Sequence, residues 1–337
     1  MSSWGKPQQD GLGQVLITGG AGYIGAQINK TISEKGYKTV VLDNLIRGHR
    51  DFVQWGEFVE GSIGDESLLQ EIFIKFHITD VIHLAAFAYV DESVREPEKY
   101  WKNNFCESLA LIKQCAQHGV ERFVFSSTCA TYGLPISIPI TETHPQAPIS
   151  PYGASKLAVE MAIRDFAEVY GFKFFLLRYF NAAGAASDCT IGERHQPETH
   201  IIPLALSAAY TQSRKFKIFG TDYETKDGTC VRDYVHVEDL AEAHALALSY
   251  LANRGTSDHC NVGLGRGTSV REIIGVVGDV TGRLVQASEM PRRVGDPPIL
   301  IASNSKAGDV LNWSPKYTDI GSIVESAWRW HKKDWHE

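Results

Sequence analysis

Short runs of consecutive apolar residues alternate with longer stretches in which apolar residues return every three or four positions. The runs are Val15-Leu16-Ile17, Thr39-Val40-Val41-Leu42, Asp80-Val81-Ile82-His83-Leu84, Arg122-Phe123-Val124-Phe125 and Lys173-Phe174-Phe175-Leu176-Leu177. Nearly continuous apolar character over so few residues is what a strand of a parallel sheet carries when both of its faces are covered. Between the first two runs Ile24, Ile28 and Ile32 fall at i, i+4 and i+8 on one helical stripe, and Gly36 stands where a left-handed residue would end the helix. Leu68, Leu69, Ile72, Phe73 and Phe76 make a second stripe. The alternation predicts β-α-β-α-β, an α/β fold with a doubly wound parallel sheet.

After Asn181 the segments shorten and the connections gain Gly, Pro and charge. Helices are expected near 200–211, 238–251, 270–281 and 320–333, and strands near 217–219 and 285–289. We expect one domain from 14–181 plus about 232–263, and a smaller α/β ligand-binding lobe from 182–231 and 264–337, with the ligand between them. Residues 1–13 are polar and read as a frayed arm. No apolar stretch suits a leader or a membrane span.

Composition narrows the partners. Of 337 residues 43% are apolar and 22% charged, which leaves ample core and excludes a disordered chain. The 33 Lys and Arg against 40 Asp and Glu give −7 without any basic run, so nucleic acid is not expected. Arg232 and the Arg292-Arg293 pair remain candidates for a small anion. Six cysteines without a C-x-x-C pair suit a reducing, cytoplasmic setting, and twelve histidines without H-E-x-x-H spacing predict no metal.

The first strand runs straight into Thr18-Gly19-Gly20-Ala21-Gly22-Tyr23-Ile24-Gly25, and a helix follows at once. Glycines at such a strand-to-helix turn let a pyrophosphate reach backbone amides at the helix N-terminus. Asp43 ends the second strand, 18 positions beyond Gly25, where a carboxylate can accept from both ribose hydroxyls of NAD and would repel the extra phosphate of NADP. Further on, Tyr152 and Lys156 lie at i and i+4 of a helix opened by Pro151, and Thr128 ends the preceding strand. A phenol brought from about 10 to neutrality costs about 4 kcal/mol, the order an ammonium about 4 Å away supplies at an effective dielectric near 20. Lys156 together with the positive nicotinamide is expected to make Tyr152 a base, with Thr128 holding the reacting hydroxyl.

From Val15 to about Trp330 the chain resembles the UDP-sugar 4-epimerases of the extended short-chain dehydrogenase/reductase family. The stretches that carry the resemblance are TGGAGYIG (18–25), LDNL (42–45), SSTCATYG (126–133), SPYGASK (150–156), LLRYFNAAGA (176–185), FGTDYETKDGTCVRDYVHV (219–237) and RRVGD (292–296). It implies a Rossmann domain holding NAD through Gly19, Gly22, Tyr23, Ile24, Gly25, Asp43, Asn44, Ser62, Ile63, Ala85, Asn103, Tyr152, Lys156 and Tyr179. It implies a second lobe holding the UDP-sugar through Thr128, Tyr152, Asn181, His200, Ile201, Phe219, Arg232, Tyr234, Arg293, Asp296 and Leu300. The implied cycle removes the 4-hydroxyl proton to Tyr152 and the C4 hydride to NAD, lets the 4-keto sugar turn, and returns the hydride to the other face. UDP-galactose and UDP-glucose are the expected pair, and a homodimer through a helix pair of the first domain is the expected assembly.

Several positions depart from the better-known bacterial pattern, which has serine at Thr128, aspartate near the adenine at Ser62, lysine near the cofactor at Ala88 and asparagine at His200. Leu300, beside the sugar, is neither the bulky nor the small residue of the known variants, so N-acetylhexosamines stay open. Likeness of SSTCATYG and GTDYETKDGTCVRDY to UDP-arabinose/xylose 4-epimerases adds pentoses. Sugar dehydratases need an Asp-Glu pair where Cys129-Ala130 stand, and a non-catalytic NAD scaffold gives no reason for Thr128, Tyr152 and Lys156 to coexist.

Overall fold

The computed structural model describes residues 14–212, 215–254, 256–293 and 296–335, so the arm expected at 1–13 lies outside the described residues. The first apolar run forms β1 (Gln14–Thr18), followed by α1 (Tyr23–Glu34), β2 (Thr39–Asp43), β3 (Glu57–Glu60), α2 (Glu66–Phe76), β4 (Ile78–His83), α3 (Val90–Arg95), α4 (Pro97–Tyr100), α5 (Glu107–Gln117), β5 (Arg122–Thr128), α6 (Pro151–Tyr170) and β6 (Lys173–Tyr179). Then come β7 (Asn181–Ala183), α7 (Ile201–Thr211), β8 (Phe216–Phe219), β9 (Val231–His236), α8 (Val237–Arg254), β10 (Asp258–Val262), β11 (Gly267–Ser269), α9 (Val270–Thr281), β12 (Ala287–Met290), β13 (Ile299–Leu300), α10 (Ser305–Leu311) and α11 (Ile320–Asp334). Gly36 takes the left-handed conformation just beyond α1, at φ +91°.

Seven parallel strands form one sheet in the order β10-β6-β5-β4-β1-β2-β3. The order reverses between β1 and β4, which opens a crevice at the carboxyl ends of these two strands. Alternate residues of β1 feed opposite cores. Val15 and Ile17 pack with Ile28 and Ile32 of α1 and Leu240 and Leu248 of α8, whereas Leu16 packs with Leu69 of α2, Leu111 of α5 and Val159 of α6. Covering both faces is why these strands read as unbroken apolar runs.

β9 pairs with β11, β13 and β7 in a small mixed sheet, while α8 and β10, which follow it, return to the large one. β8 pairs in parallel with β12. That pairing places the later strand at 287–290 rather than the expected 285–289, and Val285 is buried just before it in the core formed by α7, α9 and α11. A π turn over Trp101–Cys106 joins α4 to α5.

α6 is set by strong local signals. Ser150 accepts a hydrogen bond from Gly153 N–H, Pro151 occupies the first turn, and Gly171 ends the helix at φ +81°. Its position against the sheet is fixed by a buried ion pair. Glu160 takes two bonds from Arg178 of β6, at 2.9 and 2.6 Å, and a third from the Ser127 hydroxyl of β5. Arg178 also donates to the Tyr132 hydroxyl at 3.0 Å.

Removing one partner of such a pair leaves a buried charge uncompensated and costs about 3–5 kcal/mol, whereas replacing both with apolar groups costs far less. Glu160→Leu and Arg178→Met are each expected to lower the melting temperature by several degrees, and the double variant by less than either; thermal melts that add the two losses would contradict the pairing.

Candidate active site

The glycine turn after β1 is shaped by close approach. Gly19 has φ +72°, and a Cβ there would stand 2.7 Å from the Ala85 nitrogen; at Gly25 a Cβ would stand 2.1 Å from the Gly19 oxygen. α1 begins at Tyr23 with Gly22 before it, no side-chain cap and no acidic residue in its first turn. Its first amides are therefore left for an anion. Asp43, at the end of β2, accepts from the N–H groups of Ala21 (3.0 Å) and Leu45 (2.9 Å). Burial raises its pKa and these two bonds oppose the rise. Asn44 is exposed and accepts from Ile46 N–H, and the Tyr23 hydroxyl is committed to the Gly184 carbonyl at 2.7 Å.

Ser62 and Ile63 follow β3, and here the structure adds a residue that the sequence did not suggest. The Ser62 hydroxyl donates to the Glu107 carboxylate at 2.7 Å and accepts from Gly64 N–H at 3.1 Å. A carboxylate thus stands at the place where the resemblance has an aspartate at 62, delivered from α5, forty-five positions away. Nothing in local spacing could have shown it. Asn103 lies on the π turn, where its amide donates to Asn104 Oδ1 at 2.9 Å, and π turns recur at functional sites.

Thr128 ends β5 directly beside Tyr179 of β6. Its hydroxyl accepts from Ala130 N–H at 3.1 Å and stands near enough to the Tyr152 phenol to draw its pKa down. Burial outweighs this, and together with Tyr179 and Cys129 it holds the phenol well above its ordinary value. Lys156 donates to the Ser126 carbonyl at 2.8 Å and lies 4.6 Å over the Phe125 ring. Burial brings its pKa down to about 7, with Glu160 opposing. Burial thus works against the charged form of both groups, and a further positive charge beside the phenol would favour the phenolate. Beneath the pair, His83 bonds the hydroxyls of Thr18 (2.7 Å) and Ser108 (2.8 Å), and burial and Lys156 both keep it neutral.

Across the crevice the small sheets gather most of the anion-binding candidates. Arg232 of β9 is ion-paired with Asp296, its guanidinium also donates to the Val231 carbonyl at 2.9 Å, and Leu300 of β13 lies next to it in register. Arg293 lies 4.2 Å over the Phe219 ring and 3.8 Å from Asp91 of α3. Asn181 donates to the Asp233 carbonyl at 3.1 Å, and Tyr234 is buried. His200 and Ile201 stand at the start of α7. Burial disfavours charge on His200, but Glu193 and Glu198 outweigh it and push its pKa up to about 10. The histidines, scattered in sequence, are not all scattered in space: His195 and His200 lie with rings 4.8 Å apart between these two carboxylates.

Lys156 titrates near its ordinary 10.5 when unfolded and near 7 when folded. The unfolded chain binds more protons between these values, so stability of the ligand-free protein rises with pH from about 7 to 10.5. The stabilisation is complete above 10.5 and lost as pH falls to 7. Lys156→Met removes the penalty. At pH 7 the ligand-free variant is expected to be more stable by a few kcal/mol in urea unfolding, the gap closing towards pH 10.5; parallel profiles would contradict the shift.

The model of the NAD dependent epimerase/dehydratase family matches residues 15–263. A UDP-glucose 4-epimerase of Rhizobium leguminosarum bv. trifolii is 49% identical over 319 residues, 95% of this chain and 97% of that one. The crystal structure of UDP-glucose 4-epimerase from Brucella ovis in complex with NAD superposes with a TM-score of 0.92 at 46% identity, covering 94% of this chain and 98% of its own. The UDP-glucose 4-epimerase from Bifidobacterium longum in complex with NAD+ and UDP gives 0.91 at 33% identity, with 95% and 98% covered.

Proposed function

The chain belongs to the NAD dependent epimerase/dehydratase family, and from that premise we propose that it is a UDP-glucose 4-epimerase that interconverts UDP-galactose and UDP-glucose with NAD as its cofactor. The observation that carries the reading is the convergence of an uncapped glycine turn and a buried Tyr152–Thr128 pair on the carboxyl edge of one parallel sheet. NAD fits that edge. The cradle of Gly19, Gly22 and Gly25 has no room for a side chain at its first and last positions, and Asp43 repels a 2′-phosphate while accepting from ribose hydroxyls.

In this reading the amides of Tyr23 and Ile24 hold the pyrophosphate, and Glu107, anchored by Ser62, accepts from the adenine amine. Asn44, Ile63, Ala85, Asn103 and Tyr179 complete the wall, and Lys156 anchors the nicotinamide end. Bound NAD supplies a reversible acceptor for the C4 hydride, so no net redox change results. Tyr152 takes the 4-hydroxyl proton onto its phenolic oxygen and returns it after the 4-keto sugar has turned, with Thr128 holding the hydroxyl in line. Arg232 and Arg293 neutralise the UDP pyrophosphate, Asp296 accepts from its ribose, and Asn181, His200, Ile201, Phe219 and Tyr234 fix the nucleotide. Tight grip on UDP with only Leu300, Thr128 and Tyr152 at the sugar leaves the hexose free to rotate.

The domain division follows the same logic: residues 14–181 with about 232–263 serve NAD, and 182–231 with 264–337 serve the UDP-sugar. A homodimer is supported by apolar side chains exposed on the helices of the first domain, Trp101, Met161, Val169 and Tyr170. Among the described residues no helix is long and apolar enough to cross a membrane; six free cysteines support action in the cytoplasm.

Tyr152→Phe is expected to lower turnover by about 10²–10⁴-fold while NAD stays bound, read by chromatography of the C4 epimers formed from UDP-galactose, UDP-N-acetylgalactosamine and UDP-arabinose in separate incubations. Conversion of UDP-galactose by the parent protein supports the assignment. Exclusive turnover of another sugar moves the specificity, and conversion of none, with NAD added, defeats it.

A further inference from the structure

Just before α7 the chain folds four potential ligands, Glu193, His195, Glu198 and His200, onto one point. His200 Nδ1 lies 2.9 Å from Glu193 Oε1 and 2.8 Å from Glu198 Oε1, and His195 Nδ1 lies 3.5 Å from Glu193 Oε1 and 3.7 Å from Glu198 Oε2. All four donor atoms lie within 4.8 Å of one another. Ligands about 2.0–2.1 Å from a tetrahedral ion stand about 3.3 Å apart, in the middle of the measured contacts.

Hydrogen bonding alone does not account for the cluster. His195 Nδ1 is buried and has no hydrogen-bond partner, although it is aimed at the two carboxylates. A buried polar atom without a partner is costly and rare in native proteins. Glu193 is only 5% exposed, so its carboxylate also needs compensation inside the cluster. Glu198 Oε1 is fixed by the N–H groups of Thr199 (2.7 Å) and His200 (2.8 Å), which leaves Oε2 turned to His195. The rings of Tyr23 and Tyr89 pack edge-on against His195 at 6.5 and 6.1 Å.

We propose that Glu193, His195, Glu198 and His200 bind one divalent transition-metal ion, zinc on the chemistry of the donor set, in a closed structural site. Two imidazoles and two carboxylates gathered within 4.8 Å match the donor set of zinc, and four protein ligands leave no position for a catalytic water. The ion closes the segment leading into α7 on itself, at the wall of the crevice. The same segment is already held there by Tyr89 donating to the Pro197 carbonyl at 3.2 Å and by His49 bonding the Arg194 carbonyl at 2.8 Å. The inference stands whether or not the epimerase reading does.

The test is a zinc titration of the full-length protein, first stripped by a chelator, in competition with a chromophoric chelator, with metal content read by mass spectrometry. About one zinc per chain is expected, and His195→Ala should weaken it by about two orders of magnitude. Glu193→Gln, of the same shape, should weaken it too, and guards against loss of fold in the first variant. Cobalt(II) in the same site should give tetrahedral visible bands without a thiolate charge-transfer band, which separates it from the six cysteines. No stoichiometric zinc, zinc undiminished in both folded variants, or a thiolate spectrum would overturn the proposal.

Discussion

Desolvation of two side chains on one helix governs the chemistry at the crevice. Burial holds the Tyr152 phenol up and brings Lys156 down to about 7, so in the protein alone it works against the charged form of each. Bringing an ordinary phenol from about 10 to neutrality takes about 4 kcal/mol, burial adds to that, and one cation about 4 Å away at an effective dielectric near 20 supplies only about 4 kcal/mol. Lys156, half titrated and turned to the Ser126 carbonyl, falls short of it. A second positive charge must come with the cofactor, and oxidised nicotinamide carries one. In the proposed cycle Tyr152 would then act as base only when the hydride acceptor is present and oxidised, which would couple proton removal to the redox state of the site.

The fold serves this arrangement by rigidity. α6 carries both residues, and the Glu160–Arg178 pair pins it to β5 and β6 from the inside of the sheet. The switch between β1 and β4 opens the crevice that the glycine turn lines, and the small sheets bring Arg232, Arg293 and Asp296 to its far side.

The large sheet was legible because its strands are buried on both faces, and Val15, Val40, Val81, Phe123 and Phe175 announce that in unbroken runs. β3 was not, because Glu57 and Glu60 flank two half-buried residues at an edge of the sheet. α3, α4 and the π turn were missed because their stripes are short and Pro97 interrupts them. Among site features, the glycine turn, Asp43, Thr128, Tyr152 and Lys156 could be read from spacing. Glu107 beside Ser62 and the gathering of His195 and His200 between two glutamates depend on long-range packing and a loop path that no local period encodes. The i, i+4 spacing sets the face that Lys156 shares with Tyr152, while its charge depends on burial, which no spacing encodes.

Ultraviolet difference titration of tyrosinate in protein loaded with NAD+, loaded with NADH and stripped of cofactor tests the coupling most directly. One phenol should ionise near neutrality in the NAD+ form, vanish from the titration in Tyr152→Phe, and stay protonated far above neutral pH in the other two forms. Ionisation at the same pH in all three would mean that the protein alone sets the acidity of Tyr152, and the account would be wrong at its centre.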